Sequence, residues 1–213
     1  MCAQFMIAAS LKKIAEKYKA QIRDEDLWKP HVFPRYRAPV IINDGDSRVI
    51  RLMSFGLIPF FEKNDKPKKV FHNARSETLS EKISFKRAFT ETRCLVPIES
   101  FFEYIWENDH DKWIAKIFPK NDGFMTAAGL WNQWKPPIGE PVNSFTIITK
   151  SPPPFIENIG HDRCPLWLGE SDFDEWLVDE KKSPKDLNNI LSHAIDYDYD
   201  FEKMDAPIRK KKS

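Results

Sequence analysis

The chain has 213 residues, a length that suits a single domain with a sizeable hydrophobic core. Its 33 Lys and Arg residues balance 32 Asp and Glu residues, which excludes nucleic-acid binding by bulk charge, so any DNA contact must come from a local patch. No apolar run approaches membrane-spanning length, and the three cysteines lack metal-ligand spacing; we therefore expect a cytoplasmic protein with no membrane segment and no metal.

The first part of the chain predicts two helices and several short strands. An amphipathic helix is expected over residues 10–22, with Ser10 as its cap. Its inward face comprises Leu11, Ile14, Ala15, Tyr18 and Ile22. Short strands are expected at 40–42 and 49–53. A second helix is expected over residues 80–92, with an inward face of Ile83, Phe85, Ala88 and Phe89.

The rest of the chain is rich in predicted strands and closes with two helices. The strands are expected at 94–97, 101–106, 113–118, 125–131 and 145–149. Ser171 is expected to cap one closing helix, and Ser183, followed by a proline, the other. These elements predict one α+β domain over residues 1–206, with a mainly antiparallel, barrel-like core and peripheral helices. Residues 207–213 are predicted to be a disordered basic tail.

Cys2 is the first candidate for chemistry. Removal of Met1, which the small residue at position 2 normally permits, would leave Cys2 with a free α-amine beside its thiol. Unperturbed, such groups titrate near ~7.7–8.0 and ~8.5, close to working pH. The amine can condense with an aldehyde to an imine, and the thiolate can close onto the imine carbon as a thiazolidine. The alternative is a cysteine without a catalytic role, because a single cysteine needs a matched partner set.

Glu103 is the second candidate. Side chains alternate between the faces of a strand, so Glu103 shares one face with Phe101 and Ile105. A carboxylate among apolar groups has its charged form disfavoured, which suits a group that transfers protons. The alternative is an edge-strand glutamate that reaches water, and the pattern leaves both interpretations open.

Two polar segments supply further candidates. Asn73 and Arg75 precede a predicted helix, where an amide and a guanidinium favour a phosphate. The alternative is a turn Asn and a surface Arg paired with Glu77. His161 lies in a tight loop among charged residues, where an imidazole is either a proton-transfer group or a surface residue.

Three phenylalanines flank the segment Gly-Leu-Ile-Pro and precede a lysine-rich loop. Phe55, Phe60 and Phe61 are either core residues or a platform on which bases stack beside a basic groove.

Taken together, these stretches resemble the SRAP family, the SOS response-associated peptidases, also called abasic-site processing proteins. Five blocks carry the resemblance, in the family's order: Met1-Cys2, residues 56–59, 73–78, 93–97 leading to 102–104, and 161–165. The resemblance covers nearly the whole chain, to about residue 206, and marks residues 1–206 as an SRAP-like domain.

The resemblance implies a role for each candidate. Cys2 is similar to the residue that crosslinks to abasic sites in single-stranded DNA, and Asn73 to the residue that hydrogen-bonds the sugar-derived atoms. Glu103 resembles the carboxylate that contacts the α-amine and shuttles protons, and His161 the residue that assists opening of the sugar ring. The expected DNA-binding residues are Arg37, Phe60, Phe61, Arg75, Thr149 and Arg163.

The sequence departs from the family pattern beside the reaction centre. Ala3 and Gln4 follow Cys2, where the family has Gly-Arg, and phenylalanines replace tryptophans around residues 56–59. Arg37 is a candidate to restore the lost positive charge. We therefore expect an active protein with altered DNA affinity.

The resemblance implies a lyase-like protein that binds single-stranded DNA as a monomer and needs no cofactor. Cys2 would crosslink to the ring-opened abasic sugar and so shield the lesion. Two alternatives are a cysteine peptidase that processes its own N-terminus, with Glu103 and His161 as acid and base, and a non-catalytic single-strand-binding module.

Overall fold

The computed structural model describes residues 3–45, 47–108, 111–121, 123–178 and 180–205. The strands are β1 (Gln4–Met6), β2 (Gln21–Ile22), β3 (His31–Val32), β4 (Arg37–Asp44), β5 (Ser47–Phe55), β6 (Asn73–Arg75), β7 (Arg93–Ile98), β8 (Ser100–Trp106), β9 (Lys112–Pro119), β10 (Met125–Trp134), β11 (Val142–Lys150), β12 (Cys164–Pro165) and β13 (Tyr199–Asp205). The helices are α1 (Leu11–Tyr18), α2 (Ile83–Glu91), α3 (Pro154–Asn158), α4 (Phe173–Leu177) and α5 (Pro184–Ser192). Short 3₁₀ turns occupy Ser76–Thr78 and Glu170–Asp172.

Five strands form a closed barrel. β4 pairs with β5 and β7, β7 with β10, and β10 with β11, all antiparallel. The barrel closes where β11 pairs in parallel with β5, Phe145 lying opposite Phe55. This arrangement confirms the predicted α+β fold with a barrel-like, mainly antiparallel core.

A second sheet, in the order β13-β9-β8-β1-β3, packs against the barrel. Phe5 of β1 makes the contact, with its ring 5.2 Å from Phe55 and 6.5 Å from Phe145. All three rings are fully buried. β8 lies between β9 and β1, and its side chains Phe101, Glu103 and Ile105, which share one face, are all buried.

The first predicted helix ends four residues early. Ser10 caps α1 as predicted, accepting a hydrogen bond from the Lys13 amide at 3.3 Å. Lys19 then adopts a left-handed conformation with φ 51°, which ends the helix, and Ile22 enters β2 instead. The predicted inward orientation of Ile22 is therefore wrong, and its side chain is exposed.

Two details of the later helices also differ from prediction. Ile83 is 66% exposed rather than inward, because it lies two residues before Phe85 and hence about 200° around the helix. Ser171 does not cap a helix, since it lies within a 3₁₀ turn and α4 begins at Phe173. Ser183 does cap α5, accepting from the Asp186 amide at 3.2 Å. The predicted tail, 207–213, lies outside the described residues.

None of the helices in the described ranges is long and apolar enough to cross a membrane.

Candidate active site

Glu103 is buried at the centre of the second sheet. Its side chain is 3% exposed and shares the inward face of β8 with Phe101 and Ile105, as the alternation predicted. The alternative of a glutamate that reaches water is therefore wrong. Burial of a carboxylate is costly unless a cation or hydrogen-bond donor accompanies it.

His161 is that donor, and the end of helix α3 places it. Gly160 has φ +98°, a conformation that favours glycine. The Gly160 amide donates to the Glu157 carbonyl at 2.9 Å, and the His161 amide donates to the Ile156 carbonyl at 3.2 Å. This pair of bonds is a Schellman motif, which reverses the chain directly after the helix and leads His161 toward β8.

The two side chains form a buried acid–base pair. His161 Nε2 lies 2.9 Å from Glu103 Oε2, and the imidazole is 9% exposed. Nδ1 of the same ring lies 2.9 Å from the Arg163 carbonyl oxygen and 3.2 Å from the Arg163 amide nitrogen. It donates to the carbonyl when it carries a proton and accepts from the amide when it does not. Burial by itself lowers the pKa of His161, but the hydrogen bond and charge of Glu103 outweigh burial and raise it above its ordinary value. The imidazole therefore keeps its proton to a higher pH than an unperturbed histidine does, which suits a proton donor.

Replacing Glu103 by glutamine should reverse the shift. In Glu103→Gln the burial remains while the carboxylate charge is lost, so we expect the pKa of His161 to fall below its ordinary value of 6.5. Histidine chemical shifts followed by NMR across pH 4 to 9 measure this change. His31, whose pKa is lowered by its own burial, serves as the internal control and should not move.

The same substitution should also change how the free energy of unfolding depends on pH. Because the pKa of His161 is raised on folding, the stabilisation from Glu103 is fully present below about 6.5, the unfolded pKa of histidine. It is lost as the pH rises through the folded pKa of His161. The gap in unfolding free energy between the wild type and Glu103→Gln should thus shrink with rising pH, and a constant gap would contradict the ion pair.

Arg163 ties the His161 loop to the barrel. Its guanidinium donates to both Glu77 oxygens, at 2.7 and 3.0 Å, and to the Thr149 carbonyl at 2.6 Å. The hydrogen bond from Arg163 lowers the pKa of Glu77. Arg163 is only 8% exposed and Thr149 is fully buried. Their placement argues for a role in positioning His161 rather than in the DNA contact predicted for them. Glu77 pairs with Arg163 and not, as one alternative had it, with Arg75.

Asn73 and Arg75 lie on β6, which pairs in parallel with β11. Asn73 is half-buried, and its side-chain amide donates to the His72 carbonyl at 2.9 Å. Arg75 is exposed and lies opposite Thr149. A three-residue 3₁₀ turn separates β6 from the predicted helix, which begins at Ile83 as α2, so any phosphate contact at β6 depends on the Arg75 side chain.

The start of the chain is directed toward Glu103. Gln4 of β1 lies opposite Phe102 of β8, and this register continued by one residue brings Ala3 to the level of Glu103. Cys2 lies outside the described residues. One peptide bond joins it to Ala3, which limits the distance between their Cα atoms to about 3.8 Å.

The phenylalanines divide between core and surface. Phe55 is buried, whereas Phe60 and Phe61 are each 43% exposed and form an edge-to-face pair with centroids 5.3 Å apart. Arg87 of α2 lies 5.7 Å from the Phe60 ring, a neighbour that no sequence signal indicated because 27 positions separate the two residues.

Arg37 forms an ion pair with Asp26 at 2.8 Å, which offsets the positive charge that Arg37 was expected to restore.

Within the described ranges, no group of three or more His, Cys, Asp or Glu side chains is arranged to hold a metal ion.

Comparison with known proteins places the chain in a family. The family model for SOS response associated peptidase (SRAP) matches residues 1–210, and the chain belongs to this family. It is 34% identical over 209 residues to the abasic site processing protein YoqW of Bacillus subtilis, covering 97% of this chain and 91% of that protein. It is 28% identical to the abasic site processing protein HMCES of Xenopus tropicalis, covering 81% of this chain and 63% of that protein.

Solved structures share the fold. A protein from Bacteroides thetaiotaomicron superposes with a TM-score of 0.81 at 23% identity, covering 95% of this chain and 91% of that one. A protein from Bordetella bronchiseptica gives 0.80 at 20% identity, covering 96% of this chain and all of the other. At these identities the likeness speaks for the fold alone.

Proposed function

We propose that this protein processes abasic sites in single-stranded DNA by forming a covalent crosslink between Cys2 and the ring-opened sugar. Relatives that share about a third of the sequence carry the name abasic site processing protein. The observation that carries the proposal is the Glu103–His161 pair, in which Glu103 is buried on β8, the strand that pairs with the start of the chain.

In the first step the sugar opens. An abasic deoxyribose exchanges between a closed hemiacetal and an open aldehyde, and proton transfer governs the exchange. His161, whose pKa is raised, gives a proton to the ring oxygen as the ring carbon–oxygen bond breaks. The anomeric hydroxyl gives its proton to water as it becomes the aldehyde carbonyl. Asn73 orients the sugar through its side-chain amide.

In the second step the aminothiol closes on the aldehyde. The Cys2 amine adds to the carbonyl carbon, and Glu103 moves the proton that the nitrogen loses to the departing hydroxyl, so that one water leaves and an imine forms. The thiol then adds across the carbon–nitrogen double bond, its sulfur bonding to carbon and its proton passing to nitrogen. The resulting thiazolidine has no imine to promote the β-elimination that would cut the strand, and the lesion stays shielded. No cofactor takes part in either step.

DNA binding before the reaction is proposed to be weak. Arg75 supplies a phosphate contact and Phe60 with Phe61 supplies stacking, while a net charge of +1 adds little general attraction. Each phosphate neutralised contributes only about 0.7 to the salt slope for a single strand. Single strands should be preferred, since bases must be unstacked to reach the two rings.

Peptidase activity is the second candidate, and the family's description favours it. The amine of Cys2 is free only after Met1 has gone, so cleavage of that one peptide bond would make the protein competent. Cys2 as nucleophile, with Glu103 and His161 as base and acid, is a set that can cleave an amide. We propose self-processing at Met1 as the extent of this activity.

Intact-mass measurement tests the proposal. The processed protein is mixed with a single-stranded oligonucleotide that contains one abasic site, without reductant, and then denatured. We expect a species whose mass is the sum of the two partners minus one water. An oligonucleotide with an intact base, or with a tetrahydrofuran analogue that cannot open, should give none. Absence of the adduct, or its appearance only after borohydride treatment, would refute thiazolidine formation.

A further inference from the structure

A row of aromatic rings runs from the surface to the start of the chain. The Tyr36 and Phe33 centroids lie 5.6 Å apart, those of Phe33 and His31 4.4 Å, and those of His31 and Phe102 4.5 Å. His31 and Phe102 are close to parallel in this row, at 25°. We call these four rings the aromatic row. At its inner end His31 Nε2 lies 3.2 Å from the side-chain oxygen of Gln4, two positions from Cys2.

The row is separate from the acid–base pair. Phe102 precedes Glu103 on β8, and successive side chains of a strand point to opposite faces. The aromatic row therefore lies on the other face of the sheet from Glu103, beside the site rather than inside it. The contact of His31 with Gln4 links the row to the start of the chain, which leads to the site.

The loop that carries the outer end of the row is anchored at both ends. Trp28 Nε1 donates to the Ile7 carbonyl at 2.9 Å, and the Ile7 amide donates to the Pro30 carbonyl at 2.9 Å. Tyr36 accepts from the Phe55 amide at 2.8 Å. A surface fixed before binding loses little conformational entropy when a ligand arrives.

The outer end presents a ring and a cation to solvent. Tyr36 is 37% exposed, and the Lys29 ammonium lies 5.1 Å from its ring centroid. The described residues form no ion pair with Lys29, in contrast to Lys203, which lies over Trp113 and is bound to Glu107. Lys29 therefore keeps its charge available for an anion beside an exposed aromatic face.

We propose that Lys29 and Tyr36 form a subsite for a nucleotide that flanks the lesion, with the base stacked on Tyr36 and its phosphate bound by Lys29. An exposed cation–π contact is weaker than the stacking of a base on an aromatic ring, so the flexible lysine yields the ring face and turns to the phosphate. The subsite rests on the proposed function, because it takes its ligand from the strand held at Glu103 and His161.

Binding of a single-stranded oligonucleotide with a central tetrahydrofuran analogue, followed by fluorescence anisotropy, tests the subsite without the covalent step. Tyr36→Ala should raise the Kd about tenfold, while Tyr36→Phe should change it less than about twofold. Lys29→Ala should raise the Kd and reduce the salt slope by about 0.7, the share of one phosphate. Lys203→Ala is the matched control and should leave both quantities unchanged.

Shortened oligonucleotides locate the contact. Of two that end at the lesion, on its 5′ or its 3′ side, one keeps the nucleotide at Tyr36 and the other lacks it. Tyr36→Ala should weaken the binding of the first and leave that of the second unchanged. Three outcomes would each overturn the subsite: wild-type binding by Tyr36→Ala, equal weakening of both shortened forms by Tyr36→Ala, or an unchanged salt slope for Lys29→Ala, which is a surface change that leaves the fold intact. If these variants bind as expected while a true abasic site gives no adduct, the proposed function fails and the subsite stands.

Discussion

A retained Met1, or any tag that acylates the amine of Cys2, will abolish the denaturation-resistant crosslink although the thiol remains. An amide nitrogen cannot form an imine, and a thiol alone adds to an aldehyde only as a reversible hemithioacetal. The loss should be complete on a denaturing gel after incubation with abasic single-stranded DNA in the absence of reductant.

Cys2→Ser is the matched variant, because it keeps the amine and removes the thiol. An imine can still form, so an adduct should appear when borohydride traps it and should be lost or lead to strand cleavage without borohydride. A peptidase would need the thiol yet form no lasting bond to DNA, and a passive binding module would be indifferent to both changes. Equal crosslinking by tagged and processed protein would rule out the thiazolidine mechanism.

Glu103→Gln and His161→Gln should each slow crosslinking by about 10²–10⁴, the usual contribution of a positioned acid or base. Both residues are proposed to move protons rather than to hold the strand, so affinity for an oligonucleotide with a tetrahydrofuran analogue should stay close to that of the wild type. Single-turnover measurements at saturating DNA separate the two quantities. Since the residues act as one pair, the double variant should lose little more than either single variant.

Arg75→Ala provides the contrasting control. Its exposed guanidinium is proposed to bind a phosphate, so this variant should raise the Kd and leave the rate at saturation unchanged. Asn73→Ala should instead lower the rate, because it disturbs the position of the sugar. A wild-type crosslinking rate for Glu103→Gln would show that the carboxylate is structural and that the proton-transfer assignment is wrong.

Local physical chemistry determined much of this protein from its sequence. Alternating and apolar segments predicted the strands of the middle of the chain, and with them one α+β domain rich in antiparallel strands. The N-caps Ser10 and Ser183 could be predicted from the sequence because the bond that forms them is local: each serine hydroxyl accepts from the backbone amide three residues later. Alternation along β8 also predicted that Glu103 would share a face with Phe101 and Ile105, although the pattern left open whether that glutamate is buried.

Only the tertiary structure decided which side chain contacts Glu103 on the buried face of β8. His161 is 58 positions away, and nothing local in either segment indicates a 2.9 Å contact between them. The bidentate pair of Arg163 with Glu77 is likewise a long-range contact, and it turns a predicted DNA ligand into a support for the His161 loop. Local patterns report which face of an element is buried, whereas the partner of a buried charge depends on how distant elements pack.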